Sequence, residues 1–231
     1  MKTKNISRKI ERKNARIVIG GAIIFILIVV VIGIVRFRNA FDFTKELNEV
    51  AYTFKKEEVL LSEVAYYIMI EEETVNDVAL EYDPEKPQTY WNLHISQTFV
   101  SKEAAKTARE YSIRDQLYSI EAKMVGIKIT PEEMEDIKTK AKAMIQDMTE
   151  KQSSVLQLQE KQIEKALIQN LFADKYVLFL AEKNQVEKSE KILSAYYGIN
   201  SKYFQELKKT YRVKINKELW QQISLGDISI N

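Results

Sequence analysis

The sequence predicts a mainly α-helical protein, with one transmembrane helix followed by a helical outer domain that holds a small two-stranded β element. Three observations lead there. Residues Ile17 to Val35 run for 19 positions without a charge. At about 1.5 Å of rise per residue such a helix matches the roughly 30 Å hydrocarbon core of a bilayer. Only three prolines and six glycines occur in 231 residues, which leaves few turn-forming positions between long elements. Beyond the span, apolar residues recur at intervals of three and four, the period of one helix face.

The span divides the chain into a basic cytoplasmic segment, residues 1–16, an anchor, residues 17–38, and an extracytoplasmic domain, residues 39–231. Lys2, Lys4, Arg8, Lys9, Arg12, Lys13 and Arg16 precede the span against Glu11 alone, while only Arg36 and Arg38 follow closely. Lysine and arginine beside a span are retained in the cytoplasm, so the amino terminus is expected inside and the domain outside the cytoplasmic membrane. A cleaved signal peptide also has a basic start and an apolar run. Against it stand an apolar run longer than the roughly 7 to 15 residues usual in signals and the missing small-x-small cleavage pattern. Arg38 also sits two positions before Ala40, where a small residue is expected.

The net charge of +2 hides a split: residues 1–38 hold nine basic and one acidic residue, and residues 39–231 hold 26 basic and 32 acidic. The basic end is short and juxtamembrane, which suits anionic inner-leaflet lipid rather than nucleic acid. The chain has no cysteine. That excludes a disulfide framework, a thiolate site and a lipid-modified anchor, and leaves the outer domain to be held by its core.

Within the outer region, Phe41 to Phe54 reads as a helical or mixed stalk with a short strand at Val50 to Phe54. Glu57 to Leu80 places Val59, Leu60, Val64, Tyr67, Ile68 and Val75 on one helix face and stops before Asp83, Pro84 and Pro87, where proline ends a helix. Ser96 to Gly126 is the next helix, with Phe99, Ala105, Ala108, Ile113, Leu117, Ile120 and Met124 on its apolar face and Gly126 as its terminator. Thr130-Pro131-Glu132-Glu133 has the form of a capping box with proline in the first turn. Met134, Ile137, Ala141, Met144, Ile145 and Met148 continue that helix to about Thr149. After a polar break at Lys151 to Ser154, Ile163, Ala166, Leu167, Leu171, Val177, Leu178 and Ala181 mark a second helix able to fold back on the first as a hairpin. Val186 to Tyr197 reads as a short helix, Gly198 and Asn200 as a turn, and Tyr203 to Leu207 as a helix. Tyr211 to Ile215 alternates like a strand, and Trp220, Ile223 and Leu225 read as a last helical turn before Gly226.

The inventory for catalysis is thin. His94 is the sole histidine, so neither a histidine pair nor a histidine metal cluster can form within one chain; it reads as a loop or surface imidazole near Trp91. No phosphate-cradling glycine loop and no nucleophile elbow occur. Glu71-Glu72-Glu73 and Glu132-Glu133-Glu135-Asp136 read as solvated helix faces or helix starts rather than metal ligands. No cofactor is expected. Twelve tyrosines, some in pairs, exceed what a minimal helical core needs. Tyr66, Tyr67, Tyr90, Trp91, Tyr196 and Tyr197 are the candidate peptide-binding residues, because a ring with a polar tip suits a surface that meets varied polypeptides. Methionines 69, 124, 134, 144 and 148 are candidates for an adaptable lining. At helical spacing the competing reading is that these side chains are core.

The order of motifs resembles the non-catalytic, peptide-binding part of extracytoplasmic SurA/PrsA-type folding factors, the SurA amino-terminal-like group. The resemblance is carried by Val50-Ala51-Tyr52-Thr53-Phe54 with Glu57 to Ile70, Tyr90-Trp91, the helix around Ile113 to Met124, and Gly126-Ile127-Lys128-Ile129-Thr130-Pro131-Glu132-Glu133. Ile163 to Leu180 followed by Val186-Glu187-Lys188-Ser189-Glu190 resembles the connection towards the isomerase module of full-length members. It covers roughly residues 48 to 197. Members with peptidyl-prolyl isomerase activity insert a parvulin domain with paired histidines there, whereas 34 residues follow Tyr197 here, without histidine or cysteine. The resemblance therefore implies binding of unfolded or newly exported polypeptides without enzymatic isomerisation. The alternative is a structural or assembly subunit of a cell-envelope complex, with Thr130 to Leu180 docking one dedicated envelope protein. Oligomeric state is not legible.

Overall fold

The first long helix of the outer region starts at Leu61, four residues later than its apolar spacing suggests, because Glu57–Leu60 is taken by a strand. This is seen in a computed structural model that describes residues 41–95, 97–184 and 195–228. The expected cytoplasmic segment and membrane anchor, and most of the expected helix Val186 to Tyr197, lie outside the described residues. Among the described residues no helix is long and apolar enough to cross a membrane.

The compact unit begins at Phe43. Helix α1 (Phe43–Glu46) buries Phe43, and Leu47 after it is buried too, so this segment belongs to the packed unit rather than to a stalk. Strands β1 (Val50–Phe54) and β2 (Glu57–Leu60) form an antiparallel hairpin that turns through Lys55 at φ 54°. Helix α2 (Leu61–Tyr82) follows directly, with the Glu63 carboxylate accepting the Leu60 amide at 3.0 Å. Its end is fixed by Asp83, whose Oδ1 accepts the amides of Glu85 and Lys86 at 3.1 and 3.0 Å. Those bonds offer the backbone a turn in place of another helical residue.

A short helix α3 (Gln88–Trp91) and a two-stranded hairpin, β3 (His94–Ile95) with β4 (Thr98–Phe99), lead into α4 (Val100–Met124). The expected start at Ser96 is thus corrected: Thr98 and Phe99 pair with the preceding strand before the helix begins. Helix α5 (Pro131–Asp147) opens with the expected box, Thr130 Oγ1 accepting the Glu133 amide at 3.2 Å and the Glu133 carboxylate accepting the Thr130 amide at 2.7 Å.

The expected polar break at Lys151 to Ser154 is instead helix α6 (Glu150–Leu156). Thr149 and Gln152 form a second capping box, with bonds of 3.1 and 2.8 Å, and Gln157 ends the helix in the left-handed region at φ 48°. Helix α7 (Glu160–Lys183) then returns along α5, the hairpin anticipated from spacing, tied by Lys175 to Glu133 at 2.6 Å.

Helix α8 (Lys202–Thr210) is capped by Ser201 and ends at Tyr211. The strand expected from Tyr211 shrinks to β5 (Lys214–Ile215), because Arg212 takes φ 55° to leave the helix. Helix α9 (Lys217–Gln222) follows. β5 pairs with the free edge of β1, giving a three-stranded antiparallel sheet in the order β2-β1-β5 where two strands were expected. Asn216 donates to the Val50 carbonyl and Trp220 to the Ala51 carbonyl, each at 2.9 Å, so the segment after β5 is stitched to β1.

Helix α4 lies between α2 and α7 and has few outward positions. Ala104, Ala105, Ala108, Ile113, Leu117, Tyr118 and Ala122 are buried along it. The small side chains allow its neighbours to approach closely. Its second half is so enclosed that Glu110, Ser112, Arg114, Asp115 and Ser119 are buried as well, and buried polar groups require partners.

Candidate functional site

An apolar groove of about 590 Å³ opens between the second half of α2, the first turns of α4 and the β3–β4 hairpin. Helix α2 supplies Glu71, Thr74, Val75 and Val78, positions i, i+3, i+4 and i+7 on one face. Helix α4 supplies Val100, Glu103, Ala104 and Thr107 with the same spacing, and Lys106 beside them; Tyr90 comes from α3, and Ile95, Thr98 and Phe99 from the hairpin. The volume lies within the roughly 300 to 1,000 Å³ of ligand-binding clefts.

Its apolar wall faces outward. Val78, Ile95 and Phe99 are 43%, 48% and 49% exposed, and three large apolar side chains exposed together in a concave surface mark a binding face more than scattered ones would. Ring contacts brace the groove's walls: His94 meets Phe99 edge-on at 5.2 Å across the hairpin, and Tyr90 of α3 meets Tyr82 of α2 at 5.5 Å. His94 is exposed and pairs in register with Phe99, a structural position.

Charged groups in the groove are few, Glu71, Glu103 and Lys106. Glu103 is bonded to Lys106 at 2.7 Å. Glu71 is half-buried among apolar neighbours, and that burial pushes its carboxyl up to about 7. Among the described residues no basic side chain pairs with it, and no group of acidic or histidine side chains is arranged to hold a metal.

The six aromatic residues singled out in the sequence do not form one surface. Tyr90 lines the groove. Trp91, beside it, is fully buried, its ring closed over by Gly226, and Tyr67 is buried at 6% exposure on the core face of α2. Both are corrected to core side chains. Tyr66 packs edge-on against Tyr67 at 5.2 Å, and burial pushes its hydroxyl up to about 12. Tyr196 accepts the Tyr118 hydroxyl through its carbonyl at 2.5 Å and an amide proton of Asn184 through its own hydroxyl at 3.1 Å. The methionines divide likewise: Met69 is core, Met124 is 71% exposed, and neither lines the groove.

Tyr197 belongs to a buried ionic network. The Arg114 guanidinium donates to Asp115 at 2.7 Å and to the Tyr197 carbonyl at 3.0 Å, and it lies between the rings of Tyr111 and Tyr197, 4.6 and 3.9 Å from their centres. Asn170 of α7 donates to the other Asp115 oxygen at 3.1 Å. Burial pushes the Asp115 carboxyl up, and Arg114 opposes that shift. The Tyr67 hydroxyl is buried without a hydrogen-bond partner among the described residues, yet close enough to help hold the Asp115 charge. This network links α4 to α7 and to Tyr197; its charged pair is buried, while Tyr111, Asn170 and Tyr197 at its edge are half-buried.

The groove was not singled out from sequence, although a signal was present. Val75 continues the stripe Ile68, Glu72 and Ala79 that is buried in α2, and Val78 lies about 80° around the helix from Ile68. An apolar side chain beside the core stripe widens the apolar face past the part that the core covers. The chain matches no protein-family model, no curated protein and no solved structure.

Proposed function

We propose that this protein is a membrane-anchored, extracytoplasmic chaperone-like factor that holds apolar segments of unfolded or newly exported polypeptides in the groove between α2, α4 and the β3–β4 hairpin. The observation that carries this reading is the exposure of Val78, Ile95 and Phe99 around one concavity of about 590 Å³. A globular chain gains nothing for its own stability from such a cluster, because each side chain left in water forgoes roughly 1.5 to 3 kcal/mol of burial. An extended segment entering the groove supplies that burial.

The resemblance to SurA/PrsA-type factors supports the same reading, as does the pairing of a basic head with an uncharged run at Ile17 to Val35. The anchor would keep the groove close to the outer leaflet, where exported chains emerge. Of the six aromatic candidates, Tyr90 lines this groove. No isomerase step or cofactor enters the proposal.

The experiment is suppression of aggregation of a denatured client by the full chain, compared with a Val78→Asp, Phe99→Asp variant. Wild type at several-fold molar excess is expected to keep the client soluble. The variant, folded to the same thermal midpoint, is expected to lose most of that effect. Equal suppression by both removes the groove from the mechanism. A single stoichiometric adduct with one envelope protein and no protection of clients points to an assembly subunit instead.

A further inference from the structure

Glu71 holds the one uncompensated charge in the groove. Glu103, the other carboxylate there, is bonded to Lys106 at 2.7 Å, whereas Glu71 has no ion-pair partner among the described residues. A half-buried carboxylate that loses its remaining water to an apolar ligand is penalised unless the ligand brings a donor or a cation. A purely apolar segment would therefore bind against that penalty. One with a cation at the right place would remove it.

We propose that the groove selects polypeptide segments carrying a lysine or arginine about three residues from a large apolar side chain, with Glu71 as counter-charge and Val78 and Phe99 receiving the apolar group. This rests on the reading of the groove as a polypeptide site and adds the class of segment it takes. The spacing comes from the helix. Glu71 and Val78 are seven residues apart on α2, about 10 Å at 1.5 Å per residue, and an extended chain covers that distance in about three residues at roughly 3.3 Å each.

Helices α2 and α4 run antiparallel, with Glu63 beside Gln116 and Glu71 to Val78 beside Val100 to Thr107, so Ile95 and Phe99, next to the start of α4, stand toward the Val78 end. The titratable groups that share the groove with Glu71 are Tyr90 from α3 and Glu103 with Lys106 from α4. Burial pushes the Glu71 carboxyl up to about 7, and a bound cation draws it back down. Binding of a basic segment near pH 7 is then coupled to release of a proton, whereas a neutral analogue, which only strips water from the carboxylate, is coupled to uptake of one.

The test is fluorescence-polarisation titration of the full chain with three labelled peptides that differ at one position, lysine, glutamine or glutamate, three residues from a phenylalanine. For wild type the lysine peptide is expected to bind about tenfold more tightly than the glutamine peptide, and the glutamate peptide more weakly than either. Glu71→Gln is expected to bring the lysine and glutamine peptides within twofold while leaving the glutamine peptide bound. Glu135→Gln, on the exposed face of α5 outside the groove, alters the overall charge equally and is expected to keep the preference. Equal binding of the lysine and glutamine peptides by wild type overturns the charge selection and leaves the groove reading intact. Absence of binding by all three overturns both. An equal loss of preference in Glu71→Gln and Glu135→Gln also overturns the proposal, since general acidity would then account for it.

Discussion

Glu72 on α2 is fully buried and accepts the backbone amide of Gly226 at 2.5 Å, while Glu71, its neighbour in sequence, faces the open groove. The Glu72 carboxylate also takes the Ile228 amide at 3.1 Å. One buried side chain thus satisfies two donors in a segment that has no regular structure, and it fixes the chain end across α2. Successive residues on a helix point about 100° apart, so two adjacent carboxylates can serve the core and a surface site.

Replacing Glu72 by alanine leaves both amides buried without an acceptor. Hydrogen bonds to a charged group contribute roughly 1.5 to 3 kcal/mol each, so Glu72→Ala is expected to cost about 3 kcal/mol. Glu72→Gln keeps an acceptor oxygen and is expected to cost less. Urea unfolding measures both, and a loss below about 0.5 kcal/mol for alanine would show the chain end to be energetically free of the core.

Gly226 is needed for two separate reasons. Its φ is +110°, and a Cβ there would stand 2.6 Å from the Trp91 ring. Gly226→Ala is therefore expected to lower stability by about 1 to 3 kcal/mol and to disturb the Trp91 environment, seen as a change in near-ultraviolet circular dichroism. The exposed Gly126, also at positive φ but with open space around a Cβ, serves as the comparison, with strain and no clash.

Stability should depend on pH through Glu71. Its folded pKa, about 7, is above its ordinary value of 4.5 because burial disfavours the charged form. The folded state therefore binds the proton more tightly than the unfolded state, and this group's contribution is fully present below about 4.5 and lost as pH rises through about 7. Glu71→Gln is expected to flatten that slope between pH 5 and pH 8 and to be the more stable protein at pH 8. Thermal midpoints across that range decide it, and an unchanged slope would place the ionisation elsewhere.

The Arg114–Asp115 pair should behave as a unit. Arg114→Met alone strands the Asp115 charge in the core and is expected to cost about 3 to 5 kcal/mol. The double change Arg114→Met, Asp115→Leu is expected to cost less than the sum of the single ones, by an interaction energy of at least about 1 kcal/mol. Additive losses would mean that the pair is held apart by other contacts.

Helix caps were the most legible part of the fold. Thr130 to Glu133 announces α5 through hydrogen bonds local in sequence, and Pro84 with Asp83 ends α2 in the same way. Thr149 and Gln152 carry an equally local signal for α6, hidden because Lys151 to Ser154 has no apolar stripe. Strand β2 was misread as helix, since Val59 and Leu60 fit the spacing of α2 and only pairing with β1 distinguishes them. The groove required knowledge of which apolar stripe is covered. Phe99 and Ala105 read alike on one apolar face, yet Ala105 is buried while Phe99 is half exposed and lines the groove. Tyr67 and Trp91 were misplaced for the same reason, because composition supplies rings and only tertiary packing says which of them meet water.

The most direct test of polypeptide binding in this groove is site-specific photocrosslinking of the full chain to a denatured client. A benzophenone side chain is placed at Phe99 and, for comparison, at Glu135 on the exposed face of α5. The account predicts client adducts from position 99, abolished by Val78→Asp, with few from position 135. Equal yields at the two positions, or adducts at 99 that survive Val78→Asp, would contradict it.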